Sequence, residues 1–373
     1  VYKRQHGSCG GLSQSWRRGQ PPLRSIRVLV PGTTGRFRCG GLLVELQTAR
    51  LLEGLASVQV VTYRQREPDH PFLSDLLQAE PAGLSADDPL WLVSWGFDVP
   101  RLLRRLRGRA TAYHAHSSGY GFDLPPGVPV LAVSRNTLGY WGDRAPRNPL
   151  ALVPNALEPQ WLQRGARSGR HQRPIDVLVQ QRKSSAYVLK QLVPALRLRG
   201  LTVEVQSGWV EDLVDLFNSA TVVLYDSAPY WRSRGVSEGF GLPPLEALAC
   251  GCVVFSSLNH ALADSLDPGR IAHQLGVGCL AADLERIEAA VREPALWRAN
   301  GPQLDALLAQ SSEQALVQRW QEALNLVNQH WDHLASGETP LRSPTIRRLP
   351  LQRLRQRLAS RLADLAWQTG LRR

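Results

Sequence analysis

The sequence predicts an α/β protein of two doubly wound, Rossmann-like domains facing a cleft, followed by an amphipathic helical tail. Three observations predict it. Short β-branched runs alternate with segments whose leucines recur at helical spacing, the pattern of a parallel sheet covered on both faces. That alternation stops at residues 153–174 and then begins again, and 373 residues exceed what one core usually holds. Past residue 340 the leucines fall on one face of a basic helix.

The elements follow in order. Residues 1–24, with five bases and no acid, are set aside as a non-native or disordered leader, since the chain has no methionine and opens on VYKRQ, an in-frame reading of a common transposase adapter sequence. The first domain is expected over 25–153. It opens with SIRVLVPG as a strand, a glycine loop, and GGLLVELQTARLLEGL as a helix; VQVVTY, PLWLVSW, ATAYHAHS and VPVLAVS supply further strands. A linker is expected over 154–174, where prolines, arginines and glycines interrupt the apolar period. The second domain, 175–312, repeats the pattern with IDVLVQ, LTVEVQSG, TVVLYD and CVVFSS as strands, AYVLKQLVPALRLRG and VEDLVDLFNSA as helices. A long packing helix over 313–336 carries Trp320 and Trp331 on or near its apolar stripe, and 337–373 form the tail.

Charge is concentrated at the ends. Residues 341–373 hold nine arginines against one aspartate, and taking both termini from the total of +12 leaves −1 for residues 25–340. A nucleic-acid groove through the body is therefore not expected. The five cysteines (Cys9, Cys39, Cys250, Cys252, Cys279) have neither zinc-like nor secreted spacing, which fits a reduced cytosol without disulfides. No uncharged apolar stretch is long enough to span a bilayer.

GVSEGFGLPPLEALACG, residues 235–251, places two carboxylates seven residues apart across a glycine-rich turn. Pro243 and Pro244 suit the first turn of a helix starting near Leu242 and running through Ala249. Free N–H groups around Gly239 to Leu242 favour an anion such as a diphosphate. Acids beside such a site would repel phosphate, so Glu238 and Glu246 are expected to bind hydroxyl groups. A nucleotide sugar offers both chemistries. Arg182 and Lys183 follow the first strand of the second domain, where bases can neutralise a leaving diphosphate. His114 and His116 alternate on one strand and so share a face.

EGFGLPPLEALACG with CVVFSS resembles the E-x7-E signature of retaining glycosyltransferases of the GT-B class, group 1 or family 4. VPNAL, CGGL and YHAHSS resemble further segments of that family in the same order, so the likeness covers most of the chain. The resemblance implies that Glu246 holds the ribose hydroxyls of the donor and that Glu238 contacts the donor sugar. It places the amides of Gly239, Phe240, Gly241 and Leu242 near the diphosphate, with Gly40 and Gly41 closing on the phosphates from across the cleft. His116, nearer the strand's carboxyl end, is favoured over His114 as the group beside the transferred sugar carbon. The chain departs from the pattern at VQQRKSSAYVLK: Arg182 supplies one charge, and either Lys183 or Lys190 the second. Trp209 falls where the base would stack. Tyr230 and Trp231, with Arg232 and Arg234, are expected in a long polar connection as an aromatic sugar platform.

The implied reaction is transfer of a sugar from a nucleotide-diphosphate donor to a glycan or lipid-linked acceptor hydroxyl with retention of configuration, in polysaccharide or glycolipid assembly. No cofactor and no bridging metal is required, because no D-x-D stands at a strand end. A sugar-nucleotide epimerase of the same shape, or a non-catalytic nucleotide-sugar-binding member, would use the same cleft. A nicotinamide dehydrogenase is disfavoured, since no G-x-G-x-x-G follows the first strand of either half. Leu351, Leu354, Leu358, Leu362 and Leu365, ringed by Arg353, Arg355, Arg357 and Arg361, would let the tail lie on an anionic membrane surface or dock on protein. The expected location is cytoplasmic, peripheral at the inner face of the membrane.

Overall fold

The computed structural model describes residues 23–343 and Leu358, apart from Arg38, Trp95, residues 168–172, Trp209 and the side chain of Arg36. The first sheet has six strands: β1 (Ile26–Val30), β2 (Val58–Thr62), β3 (Leu90–Val93), β4 (Thr111–Ala115), β5 (Val130–Ala132) and β6 (Leu150–Leu152). Their order is β2-β1-β3-β4-β5-β6. The second has five, β7 (Ile175–Gln180), β8 (Val203–Gln206), β9 (Ala220–Tyr225), β10 (Val253–Ser256) and β11 (His273–Gln274), in the order β11-β10-β9-β7-β8. Every ladder is parallel. The strands are near-continuous Val, Leu and Ile because helices cover both faces.

Each sheet changes its direction of growth once, which sets β1 beside β3 and β7 beside β9. Outside the carboxyl ends of such strand pairs a crevice opens between diverging loops. The loop carrying Gly40 leaves β1, and the loop carrying Arg182 and Lys183 leaves β7. Topology alone therefore gathers these segments at the two crevices.

The helix Glu313–Ala335 follows the second domain but packs on the first sheet. Leu316, Trp320, Leu324, Val327 and Trp331 join the cluster built on Ile26, Val28, Leu90 and Leu92. The Trp331 indole donates to the Thr111 carbonyl at 3.0 Å, and Asp332 pairs with Arg24. The chain thus crosses between domains twice, and the crossings touch: the Leu157 amide donates to the Ser311 carbonyl at 2.8 Å.

Three details differ from the sequence-based expectations. Strands β6 and β11 have three and two residues, too short for a periodic signal. Ala228–Arg234, expected as a polar connection, is a short helix with Pro229 in its first turn. Within the helix expected over AYVLKQLVPALRLRG, a π-turn at Val188–Leu192 runs into Val193–Leu198, giving Pro194 room that a regular turn would deny its ring. Among the described residues no helix is long and apolar enough to cross a membrane. The tail lies outside the described residues except for Leu358, which is exposed.

Candidate functional site

Glu238 sits at the carboxyl edge of the second sheet and is 4 % exposed. Its Oε2 accepts from the Tyr225 hydroxyl at 2.6 Å and the Trp231 indole at 2.7 Å; the Lys183 ammonium lies 3.3 Å from Oε1. The Glu238 amide donates to His260 Nδ1 at 3.2 Å. Tyr225 ends β9 and Lys183 follows β7, so the two strands flanking the crevice each supply a partner. Burial, then the Glu238 charge, holds the Tyr225 hydroxyl well above its ordinary pKa, so it remains a donor.

Lys183 and His260, at φ 72° and 54°, are the two non-glycine residues with left-handed backbone among those described, and both touch Glu238. Such strain persists where surroundings over-determine it, and it gathers at working sites. Lys183→Gly should suit the backbone while removing the charge. We expect stability within about 1 kcal/mol of the parent and turnover lower by about 10²-fold. A thermal melt and a turnover assay on the same sample check this; a large fall in melting temperature with intact turnover would make Lys183 a structural ion-pair partner.

Beyond Glu238 the amides of Gly239, Phe240, Gly241 and Leu242 donate to no group among the described residues. Gly241, at φ 88°, turns the chain into the helix Leu242–Ala249, where Pro243 and Pro244 remove two first-turn donors. The free amides are therefore concentrated in the loop. In the first domain the helix Gly40–Leu52 begins without a side-chain cap on its first-turn N–H groups, and Gly40 and Gly41 are exposed.

The domains meet around this loop. The Ser117 hydroxyl donates to the Ser237 carbonyl at 2.5 Å, the Ser118 amide to Ser237 Oγ at 2.9 Å, and the Ser237 amide to the Ser118 carbonyl at 3.0 Å. Asp264 of the second domain accepts from the Arg135 amide at 2.6 Å, at the start of the first-domain helix Arg135–Arg144. Gly239 lies so close to the end of β4 that a Cβ on it would stand 1.5 Å from the His116 carbonyl oxygen.

Glu246 lies one turn inside the Leu242–Ala249 helix, partly buried. Burial, then the charge of Glu158, pushes its carboxyl up to about 8 against the opposing pull of Lys183. An unfolded glutamate titrates near 4.5, so between that pH and about 8 the folded chain keeps a proton that the unfolded chain has lost. Stability contributed by the neutral group is present in full below about 4.5 and is lost as pH rises to about 8. Glu246→Gln should therefore raise the melting temperature at pH 8 and leave it near the parental value at pH 4.5. Melts across that range check it; a pH-independent difference would overturn it.

His114 and His116 converge on Glu45 of the Gly40–Leu52 helix. Glu45 Oε1 accepts from His114 Nδ1 at 2.7 Å and also from His116 Nε2. Glu45 and His114 are buried, while the His116 side chain is 20 % exposed. Burial raises the Glu45 carboxyl but the two imidazoles outweigh it, leaving the carboxyl far below its ordinary range. Burial, then His116, lowers His114. The three donor atoms lie within 4.8 Å of one another, the group among the described residues that could hold a metal ion. As placed, both rings aim at one oxygen, a hydrogen-bonded arrangement.

The structure thus brings together Glu238, Lys183, Trp231 and the 239–242 loop, with His116 behind Gly239. It leaves Arg182 and Lys190 exposed, and His114 is walled off from the cleft. Trp231 cages the carboxylate: its indole bonds Glu238, and Lys183 lies 4.7 Å above its ring. Tyr230 is covered by Arg234 at 3.6 Å, and Arg232 is exposed. Trp209 lies outside the described residues. Glu45, Tyr225, Ser237 and His260 were not singled out from sequence. For Glu45 a signal existed: with Leu42, Ala49 and Leu52 it occupies the buried stripe of its helix, where a charge is out of place.

No family model and no curated sequence matches the chain. Solved structures do. Sucrose-phosphate synthase of Thermosynechococcus elongatus matches at 15 % identity and TM-score 0.54 over 84 % of this chain and 100 % of that one. AviGT4, a glycosyltransferase involved in avilamycin A biosynthesis, matches at 15 % and 0.52 over 86 % and 100 %. A glycosyltransferase of Rickettsia africae matches at 10 % and 0.50 over 85 % and 100 %. This chain spans 57 % of the length of TarM, at TM-score 0.49. At such identities the likeness establishes the fold, GT-B, and no more.

Proposed function

We propose that the chain is a retaining glycosyltransferase, of the group 1 or family 4 type, which moves a sugar from a nucleotide-diphosphate donor to an acceptor hydroxyl. The observation that carries this reading is Glu238, a carboxylate caged between the facing sheets and followed by four amides without a partner among the described residues. Supporting it are the activities of the fold neighbours, among them a sucrose-phosphate synthase and two glycosyltransferases.

In this reading the 239–242 amides hold the diphosphate and Lys183 adds charge as the leaving group departs, with Arg182 at the same strand end. Glu238 accepts from hydroxyls of the donor sugar and Glu246 from the ribose diol. The acceptor hydroxyl attacks from the face the diphosphate leaves, which retains configuration. Closing the domains over the donor excludes water. The charges are met by amides and side chains, so the reading needs no bridging metal. A glycan or lipid-linked acceptor, polysaccharide or glycolipid assembly, and a peripheral place on the membrane through the arginine-rich tail complete the proposal.

The test is calorimetric titration with UDP, GDP and ADP, repeated on Glu246→Ala, followed by incubation with the matching radiolabelled sugar nucleotide and candidate acceptors. One nucleotide should bind, more weakly to the variant, and label should enter a new glycoside. Label in an epimerised donor would favour the epimerase, and binding without consumption a non-catalytic protein. Absence of binding at millimolar concentration would remove the nucleotide-sugar reading.

A further inference from the structure

We propose that Glu45 is a positioning residue, fixing the orientation and tautomer of His116 at the domain boundary. Glu45 carries an ionised carboxylate. It only accepts hydrogen bonds, so each ring nitrogen facing Oε1 must carry the hydrogen. His114 faces it with Nδ1 and His116 with Nε2. In their neutral forms two histidines two residues apart are therefore held in opposite tautomers by a single oxygen.

The surroundings enforce this. His114 Nε2 is buried without a partner, and an unprotonated nitrogen is tolerated there better than an N–H lacking an acceptor. The ring is pinned edge-on to Trp320, 5.0 Å away, and lies 4.2 Å from the His116 ring. Glu45 is itself immobilised on a helix whose neighbours Leu42, Ala49 and Leu52 are core residues. In the neutral ring His116 offers Nδ1 as an acceptor without a partner among the described residues, on a side chain 20 % exposed whose own backbone carbonyl meets Gly239. That nitrogen is an acceptor for a hydroxyl. In the glycosyltransferase reading, on which this last step alone rests, the hydroxyl belongs to the sugar being moved or to its acceptor. Glu45 would act through His116 without touching substrate.

The experiment is long-range ¹H–¹⁵N correlation of the imidazoles in the full chain labelled with ¹⁵N-histidine, with His114→Asn and His116→Gln for assignment. In the parent we expect His114 protonated at Nδ1 and His116 at Nε2. In Glu45→Gln, or in the charge-retaining Glu45→Asp should the first fail to fold, the His116 signals should move to values averaged between tautomers while circular dichroism is unchanged. The kcat for donor turnover should fall about tenfold with donor KM within about twofold. An unaltered His116 pattern in the variants would overturn the proposal, as would uptake of one Zn²⁺ per chain with loss of both ring protons, which would make the group a metal centre. If the tautomer pattern holds but the parent turns over no sugar nucleotide, the positioning assignment stands and the glycosyltransferase reading falls.

Discussion

Glu238→Gln is expected to lower kcat by about 10³-fold while nucleotide affinity changes little. The substitution preserves shape, and that makes it informative. In the parent, one carboxylate oxygen accepts from Tyr225 and Trp231 and the other faces the Lys183 ammonium. A carboxamide has one acceptor atom and one donor. Either its NH₂ opposes two donors, or it opposes the ammonium, and both arrangements leave buried groups unsatisfied. The negative charge that would meet donor-sugar hydroxyls is gone, whereas Glu246, a turn into the next helix, is untouched. Turnover and calorimetry on the same preparation decide. Equal losses in binding and turnover would make Glu238 a binding residue, and full activity in the variant would remove it from the chemistry.

Gly239→Ala is the second large effect. Its Cβ would stand 1.5 Å from the carbonyl oxygen of His116 and 2.7 Å from the carbonyl carbon. Those are backbone atoms, so no rotamer relieves the overlap and the domains must part. Overpacking of this kind costs about 1–3 kcal/mol. The larger consequence is functional, because parting breaks the Ser117, Ser118 and Ser237 bonds and withdraws the end of β4 from the 239–242 loop. Turnover should fall at least as far as in Glu238→Gln, with a larger radius of gyration in X-ray scattering. A Gly239→Ala protein with parental turnover would show that the catalysing state does not bring these two backbones together.

Much of the fold was legible because its signals are local. The strand cores announce themselves as β-branched runs, and the prolines after Gly241 mark the start of a helix observed at Leu242–Ala249, as expected. The long helix was read from its period and observed at Glu313–Ala335, but its destination, the first sheet, was not. Destination is a tertiary property that no window of sequence holds. The site divides in the same way. Glu238, Lys183 and the glycine loop stood out because they bear charge or special backbone at a strand end or turn. Tyr225 lay within the expected strand TVVLYD and His260 carried no signal of its own, and each enters the site only by contact with Glu238. His116 was preferred to His114 on nearness to the strand end alone; Glu45, 69 and 71 residues away, which bonds both rings, lay outside that reading. Trp231 was read as a platform because the Ala228–Arg234 segment lacks an apolar stripe that would have signalled its helix.

The two inter-domain crossings, joined where the Leu157 amide meets the Ser311 carbonyl, carry a mechanical consequence. Bodies connected by one strand can swivel and twist as well as bend. Two strands fastened together resist torsion, leaving a rocking motion about a line through the fastening. Gly239 and Ser237, against the tip of β4, form a separate seam between the domains. Rocking about the fastening would part that seam without torsion, so that it would close again in the same register.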